Sequence, residues 1–340
     1  MSDARGPITI RDVAALAGVS ITTVSNFFNH PQRMTAATRA RVESAVLTLN
    51  FSPSDAARSL RSGRSTVVGY ISFELASART PAITTAMSER FATAGMHLLS
   101  AIDGGDPTRE RAYLDLFERQ RVAGLVITPV TDLEPDLARL RRAGLPSVLS
   151  AQRATSTEQP SVSVDHRRGG RLAAEHLLAT GRRRLAFVTD TLELHQIADR
   201  FQGAMAAVAE HPGATLEVVS APSRSVAGGE DVAAQLLDRT PATRPDGVFC
   251  VNDLVALGLC SGLRHAVSIP DELAVVGYDD IEFARLGVVP LTTISTPQED
   301  MGVAVAELLL SEIVPDATTP ATGVRQVELE PRLVVRASSR

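Results

Sequence analysis

Residues 8–29 read "ITIRDVAALAGVSITTVSNFFN", two helix-like halves that meet at Gly18. Thr9 followed by Asp12 three residues on is a shortened capping box at the start of the first half. Val13, Leu16 and Ala17 then recur at i, i+3 and i+4, the spacing of one buried stripe. Gly18 permits a tight turn through positive φ, and Val19 is placed to plug the angle between the two helices. Ser20 is a helix-starting residue, after which Val24, Phe27 and Phe28 point inward. The pattern is that of a helix-turn-helix. Its second helix keeps Thr22, Thr23, Ser25 and Asn26 beside Ile21, short hydroxyl and amide side chains suited to base edges and phosphates in a major groove. The alternative reading of this stretch is a small helical hairpin with a solvated face.

The sequence that follows extends the same reading. Thr35 or Thr38 starts a third helix, with Val42, Ala45, Val46 and Leu49 as its apolar stripe. After "NFSP" comes "SDAARSLRSGRS", in which Pro53 suits a first helical turn and Ala56, Ala57 and Leu60 give about two turns of helix, too short to be stable alone in water. Arg58, Arg61 and Arg64 surround Leu60. A leucine among arginines on a linker suits a wedge for a minor groove. Residues 1–65 hold eight arginines against four acids, a balance of +4 that leaves −9 for the remainder of a chain whose net charge is −5. A basic head on an acidic body points to a polyanionic partner.

At 340 residues the chain is long enough for two or three domains. No run approaches eighteen apolar residues, so no membrane span is expected, and "MSDARGPITI" lacks a signal-peptide core; the expected location is the cytoplasm. Every one of the 34 basic residues is arginine, which excludes the P-loop lysine, a Schiff-base lysine and the Ser-x-x-Lys pair. Nucleophile-elbow, zinc-protease and dinucleotide motifs are missing as well, so no enzyme, metal or cofactor is expected. Cys250 and Cys260 fit no metal or redox spacing and are expected as buried thiols. The seven histidines are scattered, and His166 and His176 are expected at a surface or interface rather than on a metal.

From residue 66 on, apolar runs alternate with helical segments: "VVGYIS", "HLLSAI", "GLVITPV", "PSVLSA", then "RLAFVTD", "LEVVS", "DGVFCVND" and "LAVVGYD". This rhythm predicts parallel sheets with crossover helices, in two lobes. Ligands bind such sheets outside the carboxyl ends of the strands, so the polar ends "VND" and "GYDD" point to a cleft between the lobes.

The whole pattern resembles the LacI/GalR family of bacterial transcription regulators. It is carried by "TIRDVAALAGVS…TVS", "SPSDAARSLRSGRS", "SVSVDHRRGGRLAAEHLLATGRRRLAFVTD", "RFQGAMAAV", "VFCVNDLVALGLCSGLR", "IPDELAVVGYDDIEFARLGVVPLTTIS" and "PRLVVRASS". The resemblance implies an all-α helix-turn-helix head (1–52) and a hinge helix with its linker (53–65). These join a two-lobed α/β, periplasmic-binding-protein-like core (66–340) crossed three times by the chain. The expected N-lobe is about 66–165 and 297–327, and the expected C-lobe about 166–293 and 328–340.

The same resemblance makes Ile21, Thr22 and Asn26 the base-reading positions and Leu60 the hinge leucine at the operator centre. Thr9, Ser20, Thr23, Ser25, Asn29, Arg33, Ala57 and Arg61 complete the expected DNA-contacting set. Arg200, Asn252 and Asp279 match residues that hold the effector, and Phe73, Thr296 and Arg224 stand beside them. An Arg–Asp pair with an amide also suits vicinal hydroxyls on chemical grounds, while the structural alternative is that Asn252 and Asp279 only cap strand ends.

Three positions depart from the family pattern. "SARTPAIT" replaces an Asn-Pro-Phe-like stretch, Ala151 stands where many relatives carry an acid, and Arg224 stands where relatives place an aromatic. The last suggests an anionic effector, or none. The expected protein is a dimeric, ligand-responsive repressor on a pseudo-palindromic double-stranded operator, with a sugar or related metabolite as effector. The alternatives are a solute-binding protein and a regulator without a small-molecule effector.

Overall fold

The structure, a computed structural model, describes residues 8–52, 65–73, 80–314 and 325–340. The chain divides into two units, Met1–Ser65 and Thr66–Arg340.

In the head, α1 (Ile10–Ala17), α2 (Ile21–Asn29) and α3 (Ala36–Leu49) enclose a small core. Gly18 ends α1 at φ 63°, a left-handed turn that costs glycine little. Val19 then donates its N–H back to Ala14 O at 3.0 Å. Val24 and Val42 are fully buried, and Phe27 meets Phe28 edge-on with ring centroids 5.0 Å apart. One expected stripe residue is corrected. Leu16 is 53% exposed, and the buried residues of α1 are Val13, Ala14 and Ala17, with Ile10 packed against them. Positions 10, 13, 14 and 17 follow the helical repeat, and Leu16 falls out of phase with it.

The body holds two six-stranded sheets. The first contains β1 (Val67–Ser72), β2 (His97–Ile102), β3 (Gly124–Ile127), β4 (Ser147–Ser150), β5 (Ser161–Val164) and β11 (Gln326–Leu329), in the order β11-β5-β4-β3-β1-β2. The second contains β6 (Arg184–Thr189), β7 (Thr215–Ser220), β8 (Gly247–Cys250), β9 (Ala274–Asp279), β10 (Thr292–Ser295) and β12 (Arg332–Val334), in the order β12-β10-β9-β8-β6-β7. All pairings are parallel except β10 with β12. Central strands such as β3 and β8 are buried along their whole length, because helices cover both faces of a parallel sheet. Cys250 and Cys260 are buried free thiols in the second lobe.

The helices of the first lobe are α4 (Thr80–Thr93), α5 (Pro107–Arg119), α6 (Glu134–Arg142) and α11 (Gln298–Ile313); those of the second are α7 (His166–Ala179), α8 (His195–Ala209), α9 (Val226–Leu237) and α10 (Asp253–Leu263). Helices α7 and α8 approach at glycines. A Cβ on Gly170 would sit 1.8 Å from Arg200 O, and one on Gly203 would sit 1.9 Å from Arg167 O.

The chain passes between lobes three times: from β5 into α7, from β10 into α11, and from β11 into β12. The expected boundaries near 293 and 327 fall inside β10 and β11. Thr292–Ser295 must complete its ladder on β9, and Gln326–Leu329 its ladder on β5, before the chain can leave either sheet. The N–H of Asp165 donates to Leu329 O at 3.0 Å, which ties the first crossing to the third.

The C-terminal turn is bolted to the second lobe by buried serines. Ser338 Oγ donates to Val275 O at 2.6 Å and accepts from Thr292 N–H at 2.8 Å. Ser339 Oγ donates to Thr292 Oγ1 at 2.7 Å and lies 2.8 Å from His176 Nε2. His176 is half-buried where the C-terminal turn packs on α7. Burial holds its pKa below the ordinary value, the Ser339 contact opposing the shift. A histidine depressed in this way contributes stability above the ordinary pKa of about 6.5, and that contribution is lost as pH falls below it. Replacing His176 by Gln is expected to flatten the loss of urea stability between about pH 7.5 and pH 5.5 relative to the parent chain.

Candidate functional site

Helix α2 begins at Ser20, whose Oγ accepts from Thr23 N–H at 3.1 Å and pairs with Thr23 Oγ1 at 2.8 Å. Thr9 Oγ1 and Thr9 N–H both donate to Asp12 Oδ2, at 2.7 and 2.8 Å. These bonds, the side-chain one first, hold the Asp12 carboxyl below its usual range. Three of the expected DNA-contacting residues, Thr9, Ser20 and Thr23, thus spend their hydroxyls on helix ends. The outward stripe of α2 is left to Ile21 and Thr22, which are exposed, and to Ser25 and Asn26, which are half-buried. Positions 22, 25 and 26 share one helix face, opposite Val24. Arg33 is exposed in the turn after α2. The side chain of Asn29, and Ala57, Leu60 and Arg61 of the expected hinge, lie outside the described residues.

In the body, the carboxyl ends of the second sheet converge on Arg200. Arg200 comes from the second turn of α8, and its residue is only 4% exposed. Its guanidinium carbon lies 3.6 Å from the centre of the Tyr278 ring, Nη1 donates to Val251 O at 2.5 Å, and Nη2 stands 3.9 Å from Asp279 Oδ1. A cation on a buried aromatic face is held by the ring's quadrupole. Asp279 ends β9 with φ 101° and Asp280 follows with φ 53°. Two consecutive non-glycine residues at positive φ cost about 1–3 kcal/mol each, and such strain clusters at functional sites. Gln298 Nε2 holds the bend by donating to Asp279 O at 2.8 Å. Asp279 Oδ1 is buried and accepts no hydrogen bond among the described residues.

Asn252 is the cap of α10: its Oδ1 accepts from Val255 N–H at 2.9 Å, while its Nδ2 donates to Arg224 O at 3.1 Å. The structural alternative therefore accounts for this side chain, and its link to the site is the loop it fixes. Arg224 Nε donates to Asp190 Oδ2 at 3.1 Å, and its guanidinium lies 5.8 Å from the centre of the Phe73 ring on the other lobe. The arginine that suggested an anionic effector thus has its charge met by Asp190. Asp190 Oδ1, like Asp279 Oδ1, is buried without a hydrogen-bond donor among the described residues. Thr296 lines, with Asp279, Ser295 and Gln298, a cavity of about 300 Å³ beside the second crossing.

Sequence reasoning missed four residues here. Tyr278 and Asp190 were inside quoted motifs but gave no signal beyond their place at strand ends. His166, expected at a surface or interface, is buried, its Nδ1 2.9 Å from Tyr278 Oη. Asp253 begins α10 fully buried, accepting from Thr293 Oγ1 at 2.6 Å and from Ile281 N–H at 2.9 Å. Burial, with Asp279 and Asp280 adding, pushes its carboxyl well above the usual range. A signal for it existed in Gly277, where a Cβ would stand 2.1 Å from Asp253 Oδ1.

Comparison with known proteins places the chain among bacterial regulators. The model of "Bacterial regulatory proteins, lacI family" matches residues 9–54, and that of a "Periplasmic binding protein-like domain" matches residues 174–339. The HTH-type transcriptional repressor PurR of Vibrio vulnificus (strain CMCP6) is 31% identical over 336 residues, covering 96% of this chain and 97% of the relative. The ribose operon repressor of Bacillus subtilis (strain 168) is 31% identical over 306 residues, covering 90% and 91%. The crystal structure of the Lac repressor dimer bound to operator and the anti-inducer ONPF superimposes with a TM-score of 0.81 at 26% identity, covering 98% of this chain and 99% of that one.

The geometry around Arg200 makes a stability prediction. Arg200→Ala leaves Asp279 and Val251 O buried without their cationic partner, and breaking a buried pair from one side costs about 3–5 kcal/mol. Urea unfolding of the full chain is expected to show a loss of that order.

Proposed function

This chain belongs to the LacI family of bacterial regulatory proteins, and from that premise we propose that it is a ligand-responsive, sequence-specific transcriptional repressor. It acts by binding. The observation that carries this reading is the joining in one chain of a helix-turn-helix with an outward polar stripe and a two-lobed core with a strained, buried Arg–Asp pair at its strand ends. The stripe Ile21, Thr22, Ser25 and Asn26 reads bases, and Arg33 meets phosphate. In the core, Arg200–Asp279 and Arg224–Asp190 are each neutral as pairs, and each leaves one buried carboxylate oxygen without a donor. Acceptors of that kind are satisfied by hydroxyl groups. The effector is therefore a neutral polyhydroxylated compound of the sugar class, which agrees with the similarity to a ribose operon repressor. Effector and operator affinities are linked through the lobe arrangement, with a coupling on the order of 1–3 kcal/mol.

Selection of binding sites from a random duplex library tests this reading. The expected result is enrichment of a pseudo-palindrome, with retention in gel shifts altered by one member of a panel of neutral sugars that begins with D-ribose. Asn26→Ala and Thr22→Ala should each relax base preference by about 1–3 kcal/mol, whereas Arg33→Ala should weaken binding on all sequences alike. Failure to enrich any sequence would favour a solute-binding protein.

The operator's symmetry requires a two-fold dimer. Support comes from the segment after Asp280, where Phe283, Leu286 and Val288 are 61%, 67% and 77% exposed. Large apolar side chains grouped on a surface mark an interaction site, and the similar Lac repressor structure is described as a dimer. Phe283→Asp combined with Val288→Asp is expected to give a monomer in sedimentation velocity and to abolish retention of the palindrome, while leaving the melting temperature of the core near that of the parent.

A further inference from the structure

We propose that His166 is the positioning residue of the effector site, and that it ties Arg200 to the first crossing between the lobes. The proposal rests on Arg200–Asp279 being the effector site of the repressor.

His166 is the first residue of α7, directly after β5 and Asp165. Asp165 Oδ1 caps α7 by accepting from Arg168 N–H at 2.7 Å, and the Asp165 N–H is bonded to Leu329 O on β11. The position of the imidazole is thus set by two of the three crossing strands. Its Nδ1 lies 2.9 Å from the Tyr278 hydroxyl, and the two rings are tilted 42° with centroids 5.7 Å apart. Tyr278 is completely buried, and the opposite use of its ring is as the surface on which the Arg200 guanidinium sits.

The rest of the same α7 face agrees with this role. His166, Gly169 and Gly170 fall at i, i+3 and i+4 and share one side of the helix. A Cβ on Gly169 would stand 2.5 Å from Tyr278 Oη, and one on Gly170 would stand 1.8 Å from the carbonyl oxygen of Arg200. One face of α7 therefore contacts the phenol through an imidazole, makes room for it at a glycine, and packs on the backbone of the effector arginine. From the second crossing, Gln298 holds the carbonyl of Asp279. A change of lobe angle moves these crossing residues, and with them the aromatic surface under Arg200 and the strained bend at Asp279. Packed contacts with discrete arrangements are the physical means by which one site can bias another.

The chain has only three tyrosines, Tyr70, Tyr113 and Tyr278, so full-length protein labelled with 3-fluorotyrosine reports on this contact by fluorine NMR. The Tyr278 line is assigned by its loss in Tyr278→Phe. His166→Leu, which keeps volume and removes the polar contact, is expected to move the Tyr278 line; His166→Gln, which keeps a polar group within reach of the phenol, is expected to restore it towards the parent position. Addition of the duplex enriched by selection should shift the Tyr278 line in the parent and in His166→Gln, and that response should be lost in His166→Leu.

A Tyr278 line unmoved by His166→Leu overturns the positioning role. An equal response to duplex in parent and His166→Leu, or no response in a parent that gel shifts show to be bound, overturns the link to the lobes. If His166→Leu does not fold, His166→Ala replaces it, and the titration of the parent alone still decides the second point. A parent that binds no duplex sinks the repressor reading and the link to lobe arrangement with it, while the comparison of variants without DNA still decides the positioning role.

Discussion

A guanidinium held on the face of a buried tyrosine is the constraint around which the second lobe is organised. Arg200 has almost no access to water, so its charge must be met inside the protein. The Tyr278 ring and the Asp279 carboxylate, both from β9, and the carbonyl of Val251 just after β8 meet it. Each of those partners is dictated by the one before. Tyr278 can lie flat under the arginine because Gly169 leaves space for its hydroxyl, and α8 can bring Arg200 in because Gly170 and Gly203 let the two helices touch backbone to backbone. Asp279 reaches back only by taking a left-handed bend that Gln298 stabilises from the other lobe.

The same economy runs through the head, where several hydroxyl groups are committed within the helices. Those of Thr9, Ser20 and Thr35 serve helix ends: Thr9 donates to Asp12, and Ser20 and Thr35 accept from a backbone N–H of the first turn. On the outer face of α2, Thr22 is exposed and Ser25 and Asn26 are half-buried. A helix of nine residues thus carries a cap at Ser20 and an outward polar stripe. In the core, charge pairs do comparable double service. Arg224 is neutralised by Asp190 within its own lobe yet turns its guanidinium towards Phe73 on the other, so the pair can be sensitive to lobe angle without adding net charge to the cleft.

Much of this architecture was legible before any coordinates. The glycine between two amphipathic halves, the serine after it and the alternation of apolar runs with helical segments follow from local rules that apply residue by residue. Leu16 shows where such rules slip: its spacing from Val13 suggested burial, while the buried arc of the helix runs through positions 10, 13, 14 and 17 and leaves it outside. The lobe boundaries slipped for a related reason. Where a strand ends depends on the partner it pairs with, and β10 and β11 run on until their ladders with β9 and β5 are complete.

What the sequence by itself determined is therefore the succession of elements, the two-part division into basic head and α/β body, and the polar strand ends around which a cleft would form, because periodicity, capping and turn chemistry act over a few residues. What only the tertiary structure decided is which of those polar groups meet. His166, Tyr278, Arg200, Asp279 and Gln298 come from four separate elements, and no local pattern distinguishes a histidine at the start of a helix that faces water from one that faces a phenol 112 residues away in the chain. The physical reason is that burial of charge is a property of the assembled interior: a guanidinium selects its partners by distance and dielectric, and neither exists until the two lobes and their crossings have closed around it.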